Sequence, residues 1–346
     1  MESANKTLDY TRKLTRTWEN VTPEVLQSKI IPEYKPAILK NAVAHWDILK
    51  ASTTPEGSYQ YLQTNKISDP EISLFIGQPQ IRGRYFYAED VFNHNFTSQR
   101  MKFSEAIETI YNYSKQSNGP TAYAGSIELK ELLPEFIGIA SMPLIDKQYS
   151  ARIWAGNSSQ VSLHFDQQDN IACLVSGKRE FMLIPPDQIA NVYVGPLDKS
   201  IAGPPTSMVN IDNPDFEKHP KFKTALESAE FAILEPGDAL YIPSLWWHSV
   251  KSMGEFCLLI NYWWDNPEFK IDNAMHSLLH ALYTISHLPE GEREAWRHLF
   301  DYFVFQKSGA PLTYLPENQR GVLGKMTPNL YRIIKSYVLK NMFNSY

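Results

Sequence analysis

Short runs of β-branched and aromatic residues dominate the chain between about residues 150 and 264, and Gly, Pro, Asn and Asp separate them. Many short strands divided by turn residues are typical of a β-sandwich or a β-barrel. The pattern therefore predicts a mainly β core. The predicted strands lie near residues 150–155, 160–166, 170–175, 178–184, 231–234, 238–242, 247–252 and 256–264.

The sequence before this stretch has a mixed pattern. Residues 35–40 predict a strand, and Pro23 predicts the first turn of a short helix, where its missing N–H costs nothing. Residues 103–113 carry apolar positions at helical spacing, with Ser104 as the expected N-cap. These elements predict an α/β flank beside the β core.

After about residue 267 the apolar positions follow helical spacing. The pattern thus divides the chain into an N-terminal α/β flank (1–119), a β core (120–266) and a C-terminal helical segment (267–346). An apolar helix face must be covered, and the candidates are the chain's own barrel or a second subunit. The predicted helices of this segment span residues 274–286, 292–305 and 328–346.

A long insertion rich in Pro, Asp and Asn separates two of the predicted strands, at residues 185–228. Ordered loops of this length are uncommon and are often functional. We expect the selectivity for a substrate to reside here and in a rim formed by Trp246 and Trp247.

Composition and charge narrow the class of protein. Of the 346 residues, 43% are hydrophobic and 21% are charged, which is typical of a globular protein. The net charge is −5 and no Lys/Arg cluster stands out, so nucleic acid is not an indicated partner. No apolar run approaches the roughly 20 residues that span a bilayer, and residues 1–18 lack the apolar region of a signal peptide. Cys173 and Cys257 lie in apolar runs, as buried thiols do, and a cytoplasmic location is expected.

The densest chemical signal is the segment 160–166. Successive side chains of a strand point to opposite faces, so an imidazole and a carboxylate two residues apart can bind one ion. One face of this strand would carry Gln160, Ser162, His164 and Asp166, and the other Val161, Leu163 and Phe165.

His248 is the expected third ligand, because it follows a Pro-Gly-Asp turn at 236–238 and a short strand. Two histidines and one carboxylate form the facial triad of non-haem iron(II) oxygenases, which leaves coordination positions open. A His-x-Asp segment alone occurs in many proteins, and a lone histidine is more often a core residue than a ligand. The combination within β-rich sequence favours a metal site. His276 and His280, four residues apart on a predicted helix, lack a third ligand, so a structural role is expected for them.

Arg179 is the expected anchor for an anion. Alternation along 178–184 places it on a face with Phe181 and Leu183, opposite Lys178 and Glu180. A guanidinium among apolar neighbours needs an anionic partner and can bind a carboxylate through two parallel hydrogen bonds. An internal ion pair with an acidic residue elsewhere in the chain is the alternative.

Several short motifs follow one another between residues 164 and 263. They are His164-Phe-Asp-Gln-Gln-Asp-Asn170, Gly177-Lys-Arg, Leu183-Ile-Pro-Pro-Asp-Gln188, Asp212-Asn-Pro-Asp-Phe-Glu217, Pro236-Gly-Asp-Ala-Leu-Tyr-Ile-Pro243, Trp246-Trp-His248 and Asn261-Tyr-Trp263. Their order resembles the JmjC/cupin-like family of 2-oxoglutarate oxygenases, in particular the hypoxia-inducible-factor asparaginyl hydroxylase and its bacterial cupin-like relatives. The resemblance covers about residues 120–266 and extends to the segment 36–46. It implies a double-stranded β-helix (cupin, jelly-roll) core.

The resemblance also implies the site. It places iron(II) on His164, Asp166 and His248, with 2-oxoglutarate as cosubstrate and no catalytic residue beyond the metal centre. The remaining cosubstrate contacts that it implies are Tyr123, Asn170, Asn261, Trp263 and Ser162. From the residues alone, Tyr123 is equally interpreted as a core tyrosine, and the two asparagines as capping or bulge residues.

Two positions depart from the family's pattern. The family often has Lys where Arg179 stands, so a related keto acid is conceivable as cosubstrate. It also often has a hydroxyl side chain three residues before the first histidine. Val161 stands there instead, and Ser162 is expected on the iron face.

The sequence therefore predicts an oxygenase that hydroxylates a protein side chain or a small molecule, with release of succinate and CO2. Relatives in the family dimerise through a helical tail, so a homodimer is expected. Two alternatives remain open: a metal-binding cupin with non-oxidative chemistry, and a non-catalytic interaction protein that retains the fold.

Overall fold

A computed structural model describes residues 12–133, 142–145, 149–198, 200–201, 203, 205–265 and 272–343. The chain divides into two compact units, residues 1–266 and 267–346. The proposed boundary at residue 120, inside the first unit, stays a prediction, and the N-terminal residues before 12 lie outside the described ranges.

The first unit is built around one sheet that joins all the strands of the described residues. The strands are β1 (Lys13–Leu14), β2 (Thr17–Trp18), β3 (Ala37–Leu39), β4 (Glu71–Gly77), β5 (Arg84–Tyr85), β6 (Thr97–Lys102), β7 (Thr121–Glu128), β8 (Tyr149–Gly156), β9 (Ser159–Phe165), β10 (Asp169–Ile184), β11 (Glu230–Leu234), β12 (Ala239–Ile242) and β13 (Trp247–Trp264). The expected cupin-like, jelly-roll core is confirmed.

Helices of the first unit lie mainly in the N-terminal flank, and the second unit is helical. The first unit has α1 (Pro23–Val25), a π-helical turn (Leu26–Ile30), α2 (Ile31–Glu33), α3 (Asp47–Ala51), α4 (Pro55–Asn65), α5 (Phe103–Ser114), α6 (Leu129–Leu132) and α7 (Phe222–Glu227). The second unit has α8 (Ala274–Thr284), α9 (Glu290–Phe303) and α10 (Pro328–Phe343). Short 3-10 turns span Pro79–Ile81, Pro186–Asn191, Glu317–Gln319 and Gly321–Leu323.

Two long strands hold the barrel together. β10 and β13 pair antiparallel from Asp169 opposite Trp264 to Ile184 opposite Trp247. The first half of β10 also pairs with β12 and its second half with β11, while β13 pairs with β9 and then with β8. Each long strand thus contributes to both layers of the jelly roll.

The expectation of two separate strands in each of these stretches was wrong. Gly177, which suggested a turn, lies at a bulge where the register of β10 against β13 shifts. Its φ is +78°, and a Cβ there would lie 2.6 Å from Sγ of Cys257. Glycine therefore bends the strand without ending it.

The flank packs against one face of this sheet. Helix α5 buries Phe103, Ile107 and Ile110 in the same apolar cluster as Ile171 of β10 and Tyr262 of β13. A second cluster fills the barrel interior. Both cysteines are buried free thiols, as expected.

The expected N-cap of α5 was wrong. Helix α5 begins at Phe103 with Lys102 as N-cap, and Ser104 lies inside the first turn. Ser104 instead donates its backbone N–H and its hydroxyl to Asp69, at 2.8 and 2.7 Å. An acceptor from a distant loop replaces the local cap that the sequence suggested.

Helices α8, α9 and α10 correspond to the expected C-terminal helices, and residues 344–346 lie outside the described ranges. None of the helices in these ranges combines the length and the apolar character needed to cross a membrane.

Asp238 connects the flank to the barrel, which makes it a test of the fold. Its buried carboxylate accepts hydrogen bonds from Lys40 Nζ (2.8 Å) and from the backbone N–H groups of Asn41 (3.1 Å) and Glu235 (3.2 Å). Because hydrogen bonds to a charged group contribute roughly 1.5–3 kcal/mol each, we expect Asp238→Ala to lower the free energy of unfolding by about 2–4 kcal/mol in urea denaturation. The exposed Asp187→Ala is the control and should change it by less than about 0.5 kcal/mol. Equal stabilities for the two variants would contradict this role.

Candidate metal centre

The pairing of β9 with β13 sets His164 directly opposite His248. The centroids of the two imidazole rings are 4.3 Å apart. Asp166 follows the end of β9, and its Oδ2 lies 3.6 Å from Nε2 of His248. One ligand atom from each of the three residues lies within 4.8 Å of the others. Within the described ranges no other group of three His, Cys, Asp or Glu residues has this geometry, and His276 and His280 belong to none.

Backbone hydrogen bonds orient both imidazole rings. Nδ1 of His164 lies 2.8 Å from the carbonyl oxygen of Ser162, and Nδ1 of His248 lies 3.0 Å from that of Trp246. A carbonyl oxygen only accepts, so in each neutral ring Nδ1 carries the proton and Nε2 carries the lone pair. This tautomer, fixed by a hydrogen bond to the other ring nitrogen, is the form in which histidine binds a metal.

The local electrostatics suit a divalent metal as well. Burial and the neighbouring His248 lower the pKa of His164 to about 4. Burial by itself raises the pKa of Asp166, but the interaction with His248 and the charge of both imidazoles outweigh it, so that pKa lies below its usual value. At neutral pH the site therefore offers a neutral imidazole and a charged carboxylate, and neither must lose a proton to bind a metal.

Arg179 lines the same cavity as the triad. It lies in β10 between Leu234 and Ser252, and it is 3% exposed. Within the described ranges its buried Nε has no hydrogen-bond partner, and its guanidinium forms no ion pair with a carboxylate. Burial lowers its pKa. The alternative of an internal ion pair is therefore not found in the described part of the chain, and the guanidinium faces a space where an anion fits.

The opposite face of this strand behaves as the alternation predicted. Lys178 forms an ion pair with Glu235 at 3.2 Å, and Glu180 forms one with Arg12 at 3.0 Å. Lys178 and Glu180, the two sequence neighbours of Arg179, thus each have an ion-pair partner, whereas Arg179 has none in the part of the chain that the structure describes.

The two asparagines form a hydrogen-bonded chain in the cavity wall. Nε1 of Trp154 donates to Oδ1 of Asn261 at 2.5 Å, and Nδ2 of Asn261 donates to Oδ1 of Asn170 at 3.1 Å. Trp263 packs edge-on against Trp154, with ring centroids 5.7 Å apart. Trp263 lies close enough to Asp166 to lower the pKa of that carboxyl, yet its buried Nε1–H has no acceptor in hydrogen-bonding geometry. Roles for these side chains in binding a cosubstrate stay predictions.

Tyr123 and Ser162 also line the cavity. Tyr123 stacks on Trp154 with ring centroids 6.0 Å apart, and burial raises its pKa, so its hydroxyl keeps its proton. The Ser162 hydroxyl donates to the carbonyl oxygen of Tyr85 at 3.0 Å, which commits its proton to the backbone. Their contacts with a cosubstrate remain predictions.

Strict alternation along β9 was wrong at one point. Val161 lines the cavity together with Ser162, although adjacent residues were expected on opposite faces. The register against β13 shifts between His248 and Val250, and this irregularity turns both side chains toward the cavity.

The sequence analysis missed an aromatic wall contributed by the flank. Phe75, Tyr85 and Phe96 line the cavity. The Phe96 ring contacts the other two edge-on, with its centroid 5.5 Å from that of Phe75 and 5.2 Å from that of Tyr85. The sequence of β4 did contain a sign of this wall. Phe75 is an apolar residue on the strand face opposite Ile72, Leu74 and Ile76. Nothing in the sequence placed that face beside the metal centre.

The insertion does reach the site, but the two tryptophans do not form a rim. Thr206 forms an isolated antiparallel β-bridge with His164, and the backbone N–H of Ser207 donates to the carbonyl oxygen of Leu163 at 2.7 Å. Trp246 and Trp247 are only 5% and 1% exposed and pack in the core, because they lie in and beside the buried strand that carries His248. The expectation of a tryptophan rim was therefore wrong.

Residues 23–270 match the family model described as the cupin-like domain, so the match covers well over half of the chain. The chain belongs to this cupin-like JmjC family. JmjC members of the family are iron(II)- and 2-oxoglutarate-dependent oxygenases.

Individual relatives are distant. Lysine-specific demethylase 8 of Xenopus tropicalis is 28% identical over 68% of this chain and 49% of its own length. Lysine-specific demethylase JMJ31 of Arabidopsis thaliana is 22% identical over 73% and 50%. tRNA wybutosine-synthesizing protein 5 of Mus musculus is 24% identical over 79% of this chain and 90% of its own length. The chain thus spans about half the length of the two demethylases.

Removal of one triad side chain tests the metal centre. We expect His164→Ala to weaken binding of iron(II) at least about 100-fold, because it removes one of only three protein ligands; loss of even an outer partner of a ligand costs about 10–100-fold. The measurement is an anaerobic iron(II) titration of the apo-protein. The combined variant His276→Ala/His280→Ala is the control and should bind iron(II) as the wild type does. Unchanged affinity in His164→Ala, or loss of it in the control, would contradict this assignment.

Proposed function

We propose that this chain is an iron(II)- and 2-oxoglutarate-dependent oxygenase that hydroxylates a C–H bond of a second substrate. The observation that carries the proposal is the convergence of His164, Asp166 and His248 on a cavity that is also lined by Arg179, which is buried and has no ion-pair partner among the described residues. A divalent metal fits the first group and a dicarboxylate fits the second. Membership of the cupin-like family supports the same chemistry.

Different residues of the cavity would bind the metal and the cosubstrate. His164, Asp166 and His248 would hold the iron, and Arg179 would bind the distal carboxylate of 2-oxoglutarate through parallel hydrogen bonds. The chain of Trp154, Asn261 and Asn170 would fix the cosubstrate's orientation. Together, bound iron(II) and 2-oxoglutarate supply the activation of dioxygen, with release of succinate and CO2.

The apolar lining supports this division of work. Phe181 and Leu259 line the same cavity as Arg179, so the guanidinium faces a largely apolar space. A charge-assisted hydrogen bond is stronger in such a setting than in water. The same lining separates the reacting group of the substrate from solvent.

The second substrate is proposed only as a class, a protein side chain or a small molecule. The relatives' names point to lysine side chains and to a tRNA base, and so do not decide between classes. The chain's charge of −5 favours a substrate other than nucleic acid. A cytoplasmic location, expected from the sequence, stays a prediction.

Arg179 argues against both alternatives. A cupin with non-oxidative chemistry has no need of a buried cation placed beside the metal ligands for a dicarboxylate. A protein that only mediates interactions gains nothing from a buried guanidinium without a partner, which costs stability. Both alternatives remain outcomes of the experiments below.

Binding of 2-oxoglutarate tests the proposal directly. Anaerobic addition of iron(II) and 2-oxoglutarate to the apo-protein should produce a visible metal-to-ligand charge-transfer band. We expect Arg179→Met to raise the apparent Kd for 2-oxoglutarate roughly 10- to 100-fold, because charge-assisted hydrogen bonds contribute about 1.5–3 kcal/mol.

Lys178→Met is the matched control, since Lys178 neighbours Arg179 on the same strand but points away from the cavity. It should leave the band unchanged. In air, the wild type should convert 2-oxoglutarate to succinate, followed by NMR. A metal-loaded wild type with neither band nor succinate would refute the oxygenase and favour a non-oxidative cupin.

We also propose that the chain forms a homodimer through its helical segment. Helices α8 and α9 bury none of their residues, although Leu278, Leu282 and Trp296 are large and apolar. Exposed apolar faces of this kind mark interaction sites. A second copy of the chain is the partner proposed.

Light scattering after size-exclusion chromatography tests the dimer. The wild type should have the mass of two chains at micromolar concentration. Leu278→Glu combined with Leu282→Glu should give a single chain, because charged side chains on one apolar face oppose its burial. Ser277→Glu, on the same helix, should remain dimeric. A wild type with the mass of one chain would contradict the proposal.

A further inference from the structure

Two of the three metal ligands are attached to one short loop. This loop, residues 243–246, connects β12 to β13. The backbone N–H of Leu245 donates to the carbonyl oxygen of Asp166 at 2.7 Å, and the carbonyl oxygen of Trp246 accepts from Nδ1 of His248 at 3.0 Å. The position of the loop therefore determines where the backbone of Asp166 lies and how the imidazole ring of His248 is oriented.

The loop does not hold this shape through its own backbone preferences. Leu245 has φ +63°, in the left-handed region that a leucine rarely adopts, and its side chain is 43% exposed. Strained backbone of this kind persists only where surrounding contacts fix it. Those contacts come from the two sides of the loop.

Tyr34 holds the outer side. Its hydroxyl donates to the carbonyl oxygen of Ser244 at 2.5 Å, and its own carbonyl oxygen accepts from Nε1 of Trp246 at 3.1 Å. Tyr34 is the residue that ends helix α2, with φ +50°. The N-terminal flank thus touches the loop at two residues, one of which is the hydrogen-bond acceptor for His248.

Asp169 holds the inner side. Its buried Oδ1 accepts from the backbone N–H of Ser244 at 3.1 Å and from the hydroxyl of Tyr241 at 2.9 Å. Asp169 begins β10 and Tyr241 lies in β12, so these hydrogen bonds connect the loop to β10 as well as to β12.

We infer that Tyr34, Asp169 and Tyr241 form a clamp that positions Asp166 and His248 for metal binding through the loop 243–246. The three clamp residues are positioning residues, since none of them is a ligand. The inference rests on the proposed metal centre. Outer partners that orient metal ligands contribute about 10–100-fold to metal affinity.

Removal of single hydroxyl groups tests the clamp. Tyr34→Phe and Tyr241→Phe each delete one of its hydrogen bonds and keep the aromatic ring. Tyr59→Phe is the matched control, because Tyr59 stacks on Tyr111 in the flank, away from the loop. The probe is Mn(II), titrated into each full-length apo-protein and followed by electron paramagnetic resonance, with the apo-protein's Tm measured in parallel.

We expect Tyr34→Phe and Tyr241→Phe to raise the Kd for Mn(II) about 10-fold. They should also change the Mn(II) resonance line shape and the position of the iron(II)–2-oxoglutarate charge-transfer band, which a purely structural role would leave unaltered. Tyr59→Phe should match the wild type in all three. Because Tyr34 is 44% exposed, Tyr34→Phe opens no cavity in the core. This variant therefore tests the clamp even if Tyr241→Phe fails to fold.

Two results would overturn the inference, and they differ in meaning. If Tyr34→Phe is folded and binds Mn(II) within twofold of the wild type, with an unchanged line shape, the clamp does not position the ligands, although the metal centre stands. If the wild type binds no Mn(II), the metal centre itself fails, and the clamp fails with it.

Discussion

The register between β9 and β13 is the constraint on which the site depends. It sets His164 and His248 opposite each other on two antiparallel strands, so their imidazoles converge. A shift of one residue would turn one of them to the other face of the sheet. The register is held by the long pairing of β13 with β10 and by the bulge at Gly177, where any side chain would collide with Cys257.

A charge buried in an apolar cavity is the second organising feature. Arg179 is desolvated without an ion-pair partner among the described residues, an arrangement that destabilises the protein by itself. Its position in β10, the strand that also carries Asn170, brings the charge into the cavity that the asparagines and the triad also line. A negatively charged ligand that paired with Arg179 would remove this destabilisation.

The N-terminal flank contributes residues to this site, although it lies far from the metal ligands along the sequence. Phe75 and Tyr85 supply the aromatic wall, Asp69 caps α5, and Tyr34 holds the loop that precedes β13. The contact between Tyr34 and Ser244 joins residues 210 positions apart, so the flank reaches the loop beside the metal ligands.

By itself the sequence determined the mainly β core, the family and the candidate triad. It did so because alternation, turn residues and the short motifs that carry His164, Asp166 and His248 are local properties of the chain. The inward direction of Arg179 followed from the same alternation. Only the tertiary structure decided that this guanidinium has no acidic partner among the described residues. It also decided that Val161 joins Ser162 in the cavity, and that the tryptophans beside His248 are buried. These depend on strand register and on contacts between distant segments, which no local pattern encodes.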